Sequence, residues 1–179
     1  MTITLQKTTE IAFSKMHGLG NDFVIIDATQ HDLSIHNLPI AKWADRHRGI
    51  GFDQLLILTC SKKADIACDI FNADGSIAEQ CGNGMRCVAR FAYENQLVSN
   101  KKMTIETKAG IVQAELRDDG LVEVDMGSPK LMPGWLDIPL KKTIRVFALS
   151  MGNPHAIVWV DSIDTYPVAE MGRAISKHA

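Results

Sequence analysis

An α+β fold, a twisted and largely antiparallel sheet with a few helices packed on it, is predicted by three observations. Short apolar runs bounded by turn residues fall early in the chain, at Phe23 to Ala28 and Gln54 to Cys60, and read as buried strands. From Met103 the apolar period becomes two residues, so that Val112, Ala114 and Leu116 share one face, as do Val122, Val124 and Met126. Three separate stretches, following Pro39, Cys81 and Pro167, carry helical spacing instead.

Each element follows in order. Pro39 occupies a plausible first helical position, Ile40, Trp43, Ala44 and His47 continue at i, i+3, i+4 and i+7, and Gly49 is a natural stop. Asp65 to Ala73 is a further strand. Cys81-Gly-Asn-Gly opens a helix whose Met85, Val88, Ala89 and Ala92 line one face. Strands are expected at Met103 to Thr107, Gly110 to Arg117 and Leu121 to Met126, the last two joined by the turn Asp118-Asp119-Gly120. The loose stretch Gly127 to Pro139, which carries Gly and Pro, is the expected boundary between a first lobe, 1–126, and a second, 127–179. Strands at Thr143 to Met151 and His155 to Val160 come next. A last helix begins at Pro167, with Val168, Met171 and Ile175 at helical spacing.

Composition narrows the function classes. Of 179 residues, 46% are hydrophobic, enough for a core, and 22% are charged. Nineteen Lys and Arg against 21 Asp and Glu give a net charge of −2 with no long basic stretch, so bulk attraction to nucleic acid or anionic membrane is not expected. No apolar run approaches the ~18 residues of a membrane span. The segment Met1 to Glu10 is polar and lacks the apolar stretch of a signal peptide. Four cysteines in such a chain read as reduced thiols, and a soluble cytoplasmic protein is expected.

The densest chemistry lies in Asn72-Ala-Asp-Gly-Ser-Ile-Ala-Glu-Gln-Cys-Gly-Asn-Gly-Met-Arg86. It places Cys81 at the mouth of a helix, where backbone N–H groups lack internal partners and the macrodipole carries about +0.5 charge. Both favour a thiolate, and a pKa near 8.5 falls to roughly 3.5–7.5 in such settings. Gly82 and Gly84 allow close approach to the backbone, and the same N–H groups could hold a carboxylate. The alternative is a buried core thiol flanked by turn glycines, the commoner state of a free cysteine. The polar, glycine-flanked context argues against it for Cys81, whereas Cys60, Cys68 and Cys87 fit that structural role. No metal site is expected: Cys81 and Cys87 are about 600° apart around a helix, and neither Cys-x-x-Cys nor His-Glu-x-x-His occurs. Gly18-Leu-Gly20-Asn and Gly49-Ile-Gly51-Phe match neither dinucleotide nor phosphate-loop patterns.

The block Asn-x-Asp-Gly-Ser-x4-Cys-Gly-Asn-Gly-x-Arg at Asn72 to Arg86 resembles the signature of the diaminopimelate epimerase family. The resemblance extends to Phe13 to Phe23, to Gly49-Ile-Gly-Phe-Asp-Gln54 and to Gly152-Asn-Pro-His155, in the family's order. It implies a diaminopimelate-epimerase-like fold, similar to proline racemase and the phenazine-biosynthesis isomerase-like proteins. There, a mostly antiparallel sheet wraps a central helix in each of two pseudo-symmetric lobes. It also implies interconversion of LL- and meso-diaminopimelate without pyridoxal phosphate or metal, in lysine and peptidoglycan biosynthesis, by a homodimer. Two cysteines, one from each lobe, would act on opposite faces of the α-carbon.

Carried over by position, Cys81 resembles the first-lobe acid/base. Gly82 and Asn83 match the helix-entry groups that hold substrate carboxylate or ammonium. Asn21, Gln54 and Asn72 match substrate-contacting amides of the first lobe, and Asn153 one of the second. Such amides read both ends of an amino acid without adding charge. His155 resembles the histidine that tunes the thiols. The resemblance also implies a Glu-Arg pair and a second Cys-Gly block in the second lobe, neither of which occurs in these 179 residues. A C-terminally truncated form, unable to complete two-base epimerisation alone, is therefore expected. A non-catalytic amino-acid-binding or assembly module, and an isomerase of another substrate, stand as alternatives.

Overall fold

The computed structural model describes residues 10–30, 33, 38–140 and 142–177. Most of the N-terminal segment on which the absence of a signal peptide was judged lies outside the described residues, as do the final two. The chain forms two compact units, Met1–Met126 and Gly127–Ala179.

In the first unit, eight strands form one mixed sheet: β1 (Ser14–Gly18), β2 (Asn21–Asp27), β3 (Gln54–Thr59), β4 (Ile66–Asn72), β5 (Ile77–Ala78), β6 (Lys102–Thr107), β7 (Gly110–Leu116) and β8 (Val122–Asp125). The spatial order is β1-β2-β3-β4-β6-β7-β8, with β5 alongside β4. Neighbours are antiparallel except β2/β3 and β4/β6. A parallel pair cannot be closed by a hairpin, so each needs a crossover. One crossover carries α1 (Ile40–Ala44) and the other α2 (Gly82–Glu94).

The crossovers explain the unbroken apolar runs of β2 and β3. Phe23, Ile25, Leu56 and Leu58 point into a core shared with α2. Val24, Ile26, Leu55 and Ile57 point the other way, into a core shared with Ile40 and Ala44 of α1 and with Phe52. A strand buried on both faces gains from apolar residues at every position. β7 has one wet face, and there the alternation survives, with Val112 and Ala114 buried and Ile111 exposed.

α2 is the centre of this unit. Met85, Val88, Ala89 and Ala92, the expected face, are fully buried. The helix packs against β1 and β8 as well as β2, β3, β6 and β7. Seven strands laid flat would span about 29 Å, and a helix is only about 10–12 Å across. Touching both ends of the strand order therefore requires the sheet to curl around α2.

Local differences from the sequence reading have physical causes. α1 ends at Ala44, and His47 lies outside it, because the Asp45 carboxylate accepts from the His47 and Arg48 N–H groups and draws the chain into a turn. Gly49 is required by proximity: a Cβ there would lie 2.3 Å from the Lys42 carbonyl oxygen. The unexpected β1 is a polar edge strand, half-buried on alternate residues, whose ladder to β2 supplies what its composition does not signal.

The second unit is a three-stranded antiparallel sheet in the order β11-β10-β9, followed by α3 (Val168–Ser176). Its strands are β9 (Lys130–Ile138), β10 (Ile144–Ser150) and β11 (Pro154–Ile157). β9 occupies most of the stretch read as a loose boundary. Its Pro133-Gly134 pair is tolerated because β9 has β10 on only one side and the register jumps there. Phe147 pairs with Trp135 but Leu149 with Leu131, so two extra residues bulge from β9. Trp135 and Phe147 meet edge to face with ring centroids 5.4 Å apart. Val146 and Ala148 are buried, whereas α3 buries no residue.

Candidate active site

Sheet register gathers the first-unit site residues at one edge. Gly18 ends β1 opposite Asn21, which opens β2; Gln54 opens β3 beside Phe23; and Asn72, which ends β4, lies directly opposite Gln54. Parallel β2 and β3 begin at the same side, so their antiparallel neighbours end there. The N-terminus of α2 comes to this edge too, since a Cβ on Gly18 would lie 3.2 Å from the Asn83 carbonyl oxygen. Asn21, Gln54, Asn72, Cys81, Gly82 and Asn83 are all half-buried.

Cys81 is the residue that caps α2, with extended φ and ψ of −149° and 102°. Its sulfur accepts from the Gly84 N–H at 3.4 Å, and its thiol is directed at Asn21 Oδ1 at 3.9 Å. Asn83 Oδ1 accepts from Arg86, leaving the Asn83 amide nitrogen free of that contact. The thiolate expected from the helix mouth is not the resting balance. Burial pushes the Cys81 thiol above its ordinary value, outweighing the Gly84 and Asn83 N–H groups and the Arg86 charge that pull it down. Desolvation penalises the charged sulfur more than the helix end compensates it. Cys68 and Cys87 are buried and pushed up by the same cause, in keeping with structural thiols, whereas Cys60 is exposed just past the end of β3 and does not take the buried role expected of it.

Two side-chain chains run along this edge. In one, Gln54 Nε2 donates to Asn72 Oδ1 at 3.0 Å, Asn72 Nδ2 donates to Ser76 Oγ at 3.0 Å, and Ser76 Oγ donates to Asp74 Oδ1 at 2.6 Å. The far end, Gln54 Oε1, is buried with no hydrogen-bond partner among the described residues, an acceptor left open for a donor. In the other, Asn21 Nδ2 donates to Asp53 Oδ2 at 2.8 Å, and Arg46 bonds Asp53 Oδ1 at 2.7 Å while gripping both oxygens of Asp22. Lys15 bonds the Gly51 carbonyl at 2.6 Å and pairs with Asp22 at 3.4 Å. The Arg46 guanidinium holds the Asp22 carboxyl well below the usual carboxylate range against the opposing cost of burial, with Lys15 adding to it.

The sequence assigns no role to Asp53, Arg46, Asp22, Lys15, Asp74 or Ser76, although all but Arg46 fall inside the blocks that carry the family resemblance. The one local signal is adjacency, since Asp53 precedes Gln54 and Asp74 follows Asn72 by two residues. Asn153 and His155 are carried by the second unit. There the Asn153 carbonyl accepts from the Met151 N–H and lies 3.0 Å from His155 Nδ1, at the turn between β10 and β11. Among the described residues no cluster of three or more His, Cys, Asp or Glu has metal-binding proximity, and no helix is long and apolar enough to cross a membrane.

Comparison with known proteins bears on this edge directly. The family model for diaminopimelate epimerase matches residues 13–132, which include Asn21, Gln54, Asn72 and the Cys81 block. The chain is 43% identical over 184 residues to the diaminopimelate epimerase of Stutzerimonas stutzeri (strain A1501), and 45% identical over 183 residues to that of Azoarcus sp. (strain BH72). Both alignments cover 94% of this chain, which spans 66% of the length of those curated relatives. Among solved structures, a probable proline racemase from Agrobacterium radiobacter K84 superposes with a TM-score of 0.65 at 19% identity, over 91% of this chain and 53% of its own. A hydroxyproline epimerase from Agrobacterium vitis gives 0.63 at 17%, over 82% and 50%. These two establish likeness of fold. Because the family model covers two thirds of the chain and spans the whole edge just described, the chain belongs to the diaminopimelate epimerase family.

Proposed function

We propose that this chain carries the first-lobe half of a site that epimerises LL-diaminopimelate to meso-diaminopimelate by proton exchange at the α-carbon. The observation that carries the reading is Cys81 at the N-cap of α2, between the Gly84 N–H and Asn21, on the edge where Gln54 presents an unpartnered oxygen. In this reading the Cα–H bond breaks as one sulfur takes the proton, and a second thiol delivers a proton to the opposite face. Cys81 is one of those two groups. The Gly82 and Asn83 N–H groups receive a carboxylate at the helix end, where backbone donors and dipole both favour an anion. Gln54 Oε1, its amide held by Asn72, accepts from the substrate's ammonium groups, and Asn21 and Asn72 add their own amides on the same edge. Asn153 adds an amide, and His155 tunes thiol ionisation. The family supports the accompanying proposals of a cytoplasmic homodimer in lysine biosynthesis, acting without a cofactor.

The test is incorporation of deuterium at the α-carbon of diaminopimelate in heavy water, followed for the chain and for Cys81→Ser. Proton transfer by a positioned side chain is worth about 10²–10⁴-fold, so exchange that falls by that factor in the variant is expected. Equal exchange in both proteins overturns the role of Cys81. Calorimetric binding of diaminopimelate with no exchange in either protein points instead to a binding module.

A further inference from the structure

We propose that Asp53 is a positioning residue for Cys81: through Asn21 it fixes which end of an amide faces the sulfur, and so holds a hydrogen-bond acceptor against the thiol. The inference deepens the proposed reading of Cys81 as an acid/base group and rests on it for its functional meaning. The geometry itself stands on hydrogen-bond polarity.

An amide side chain has an acceptor end and a donor end of nearly the same shape, so its orientation is set by its partners. Here the relay begins at a group with no choice. The Arg46 guanidinium has donors only, and it claims Asp53 Oδ1 at 2.7 Å. Asp53 Oδ2 accepts from Asn21 Nδ2 at 2.8 Å and from the Asp22 N–H at 3.1 Å. Turning the Asn21 amide over would set two oxygens 2.8 Å apart, so the nitrogen stays on Asp53. Asn21 Oδ1 is thereby committed to Cys81, 3.9 Å from the sulfur. An oxygen in that place accepts from a thiol and repels a thiolate, which favours the protonated form. Arg86 of α2 favours the Cys81 thiolate, as do the Gly84 and Asn83 N–H groups, while a charged Cys81 in turn pushes up Cys87 of α2 and Cys68 of β4.

Asp53→Ala removes the acceptor that holds the Asn21 nitrogen, while Arg46 keeps both oxygens of Asp22. The Asn21 amide is then free to turn its nitrogen toward the sulfur. Cys81 loses an acceptor fixed against it, and the thiolate gains.

The experiment follows alkylation of Cys81 by iodoacetamide against pH in the full 179-residue chain, resolved by peptide mass spectrometry. Exposed Cys60 serves as internal reference, and protection of buried Cys68 and Cys87 reports that the fold is intact. Asp53→Ala is expected to move the Cys81 midpoint to lower pH, with alkylation at pH 7 roughly 3- to 10-fold faster. Asn21→Ala, which removes the acceptor outright, is expected to shift it in the same direction. Asp22→Asn removes one carboxylate from Arg46 but leaves the Asp53–Asn21 contact, and is expected to change the rate less than about twofold. An unchanged midpoint in Asp53→Ala or Asn21→Ala overturns the proposal. Equal shifts in Asp53→Ala and Asp22→Asn overturn it too, since charge would then be the cause. If Asp53→Ala exposes Cys68 and Cys87, Asn21→Ala carries the decision. The readout is thiol chemistry, so a failure of the epimerase reading would show only in the deuterium assay and leave this result standing.

Discussion

α2 and α3 have equally amphipathic sequences, yet one buries its whole apolar face in the core of the first unit and the other has no buried residue. Met85, Val88, Ala89 and Ala92 of α2 are fully enclosed by a sheet curled around them, whereas Val168 of α3 remains exposed. The difference teaches that apolar spacing states which face of a helix can be covered, and not whether anything covers it. The strands repeat the contrast. β2 and β3 are sandwiched between two cores, while Leu131, Trp135 and Leu136 of β9 stay exposed.

Four measurements would break or sharpen this contrast. The largest expected effect is in amide hydrogen exchange. Amides of α2 open only with the core of the first unit and should exchange about a thousandfold or more slowly than those of α3. Comparable protection in the two helices would mean that α3 is as well covered as α2. Next, Met85→Ala should destabilise by about 2–5 kcal/mol, because it opens a cavity under the curled sheet. Val168→Ala should stay within about 0.5 kcal/mol. Urea titration of both variants checks this, and a cost for Val168→Ala near that of Met85→Ala would remove the distinction.

The glycines give a smaller effect, of opposite sign in the two units. Gly49→Ala drives a Cβ against backbone carbonyls and should cost about 1–3 kcal/mol. Gly172→Ala, inside α3 with open space around it, should stabilise that helix by about 0.5–1 kcal/mol. Thermal melts showing the same sign for both would contradict the packing described. The smallest effect concerns acid. Because Arg46 lowers the Asp22 pKa in the folded state, Asp22 contributes stability above its unfolded value near 3.9 and loses it progressively as pH falls below about 4. Asp22→Asn should therefore flatten the acid limb of stability in the first unit, and an unaltered limb would show that the Arg46 contact contributes nothing.

Much of this was legible without coordinates. The buried face of α2, the runs of β2 and β3, the alternation of β7 and the placement of Cys81 at a helix entrance all follow from periodicity and glycine placement. Where the reading departed from the structure, a partner distant in sequence or a local competitor decided. α1 stops before His47 because Asp45 offers its carboxylate to the next N–H groups. β9 forms through Pro133-Gly134 because β10 accommodates a two-residue bulge. Of the candidate site, the helix mouth at Cys81 was legible and the orientation of the side chains around it was not. The Asn21–Asp53 contact joins positions 32 apart, and no local pattern announces it.

The sequence by itself determined the family, the thiol, the amides and the helix mouth that brings the thiol forward, because those depend on residue type and near-neighbour spacing. Tertiary structure alone decided three things: that the sheet closes on α2, that Gln54 keeps an unpartnered oxygen, and that the Cys81 thiol rests above its ordinary pKa. Each is a balance between desolvation and contacts made by strands far apart in the chain. Burial opposes the helix N-terminus at Cys81, and only the folded arrangement sets how much of each the sulfur experiences.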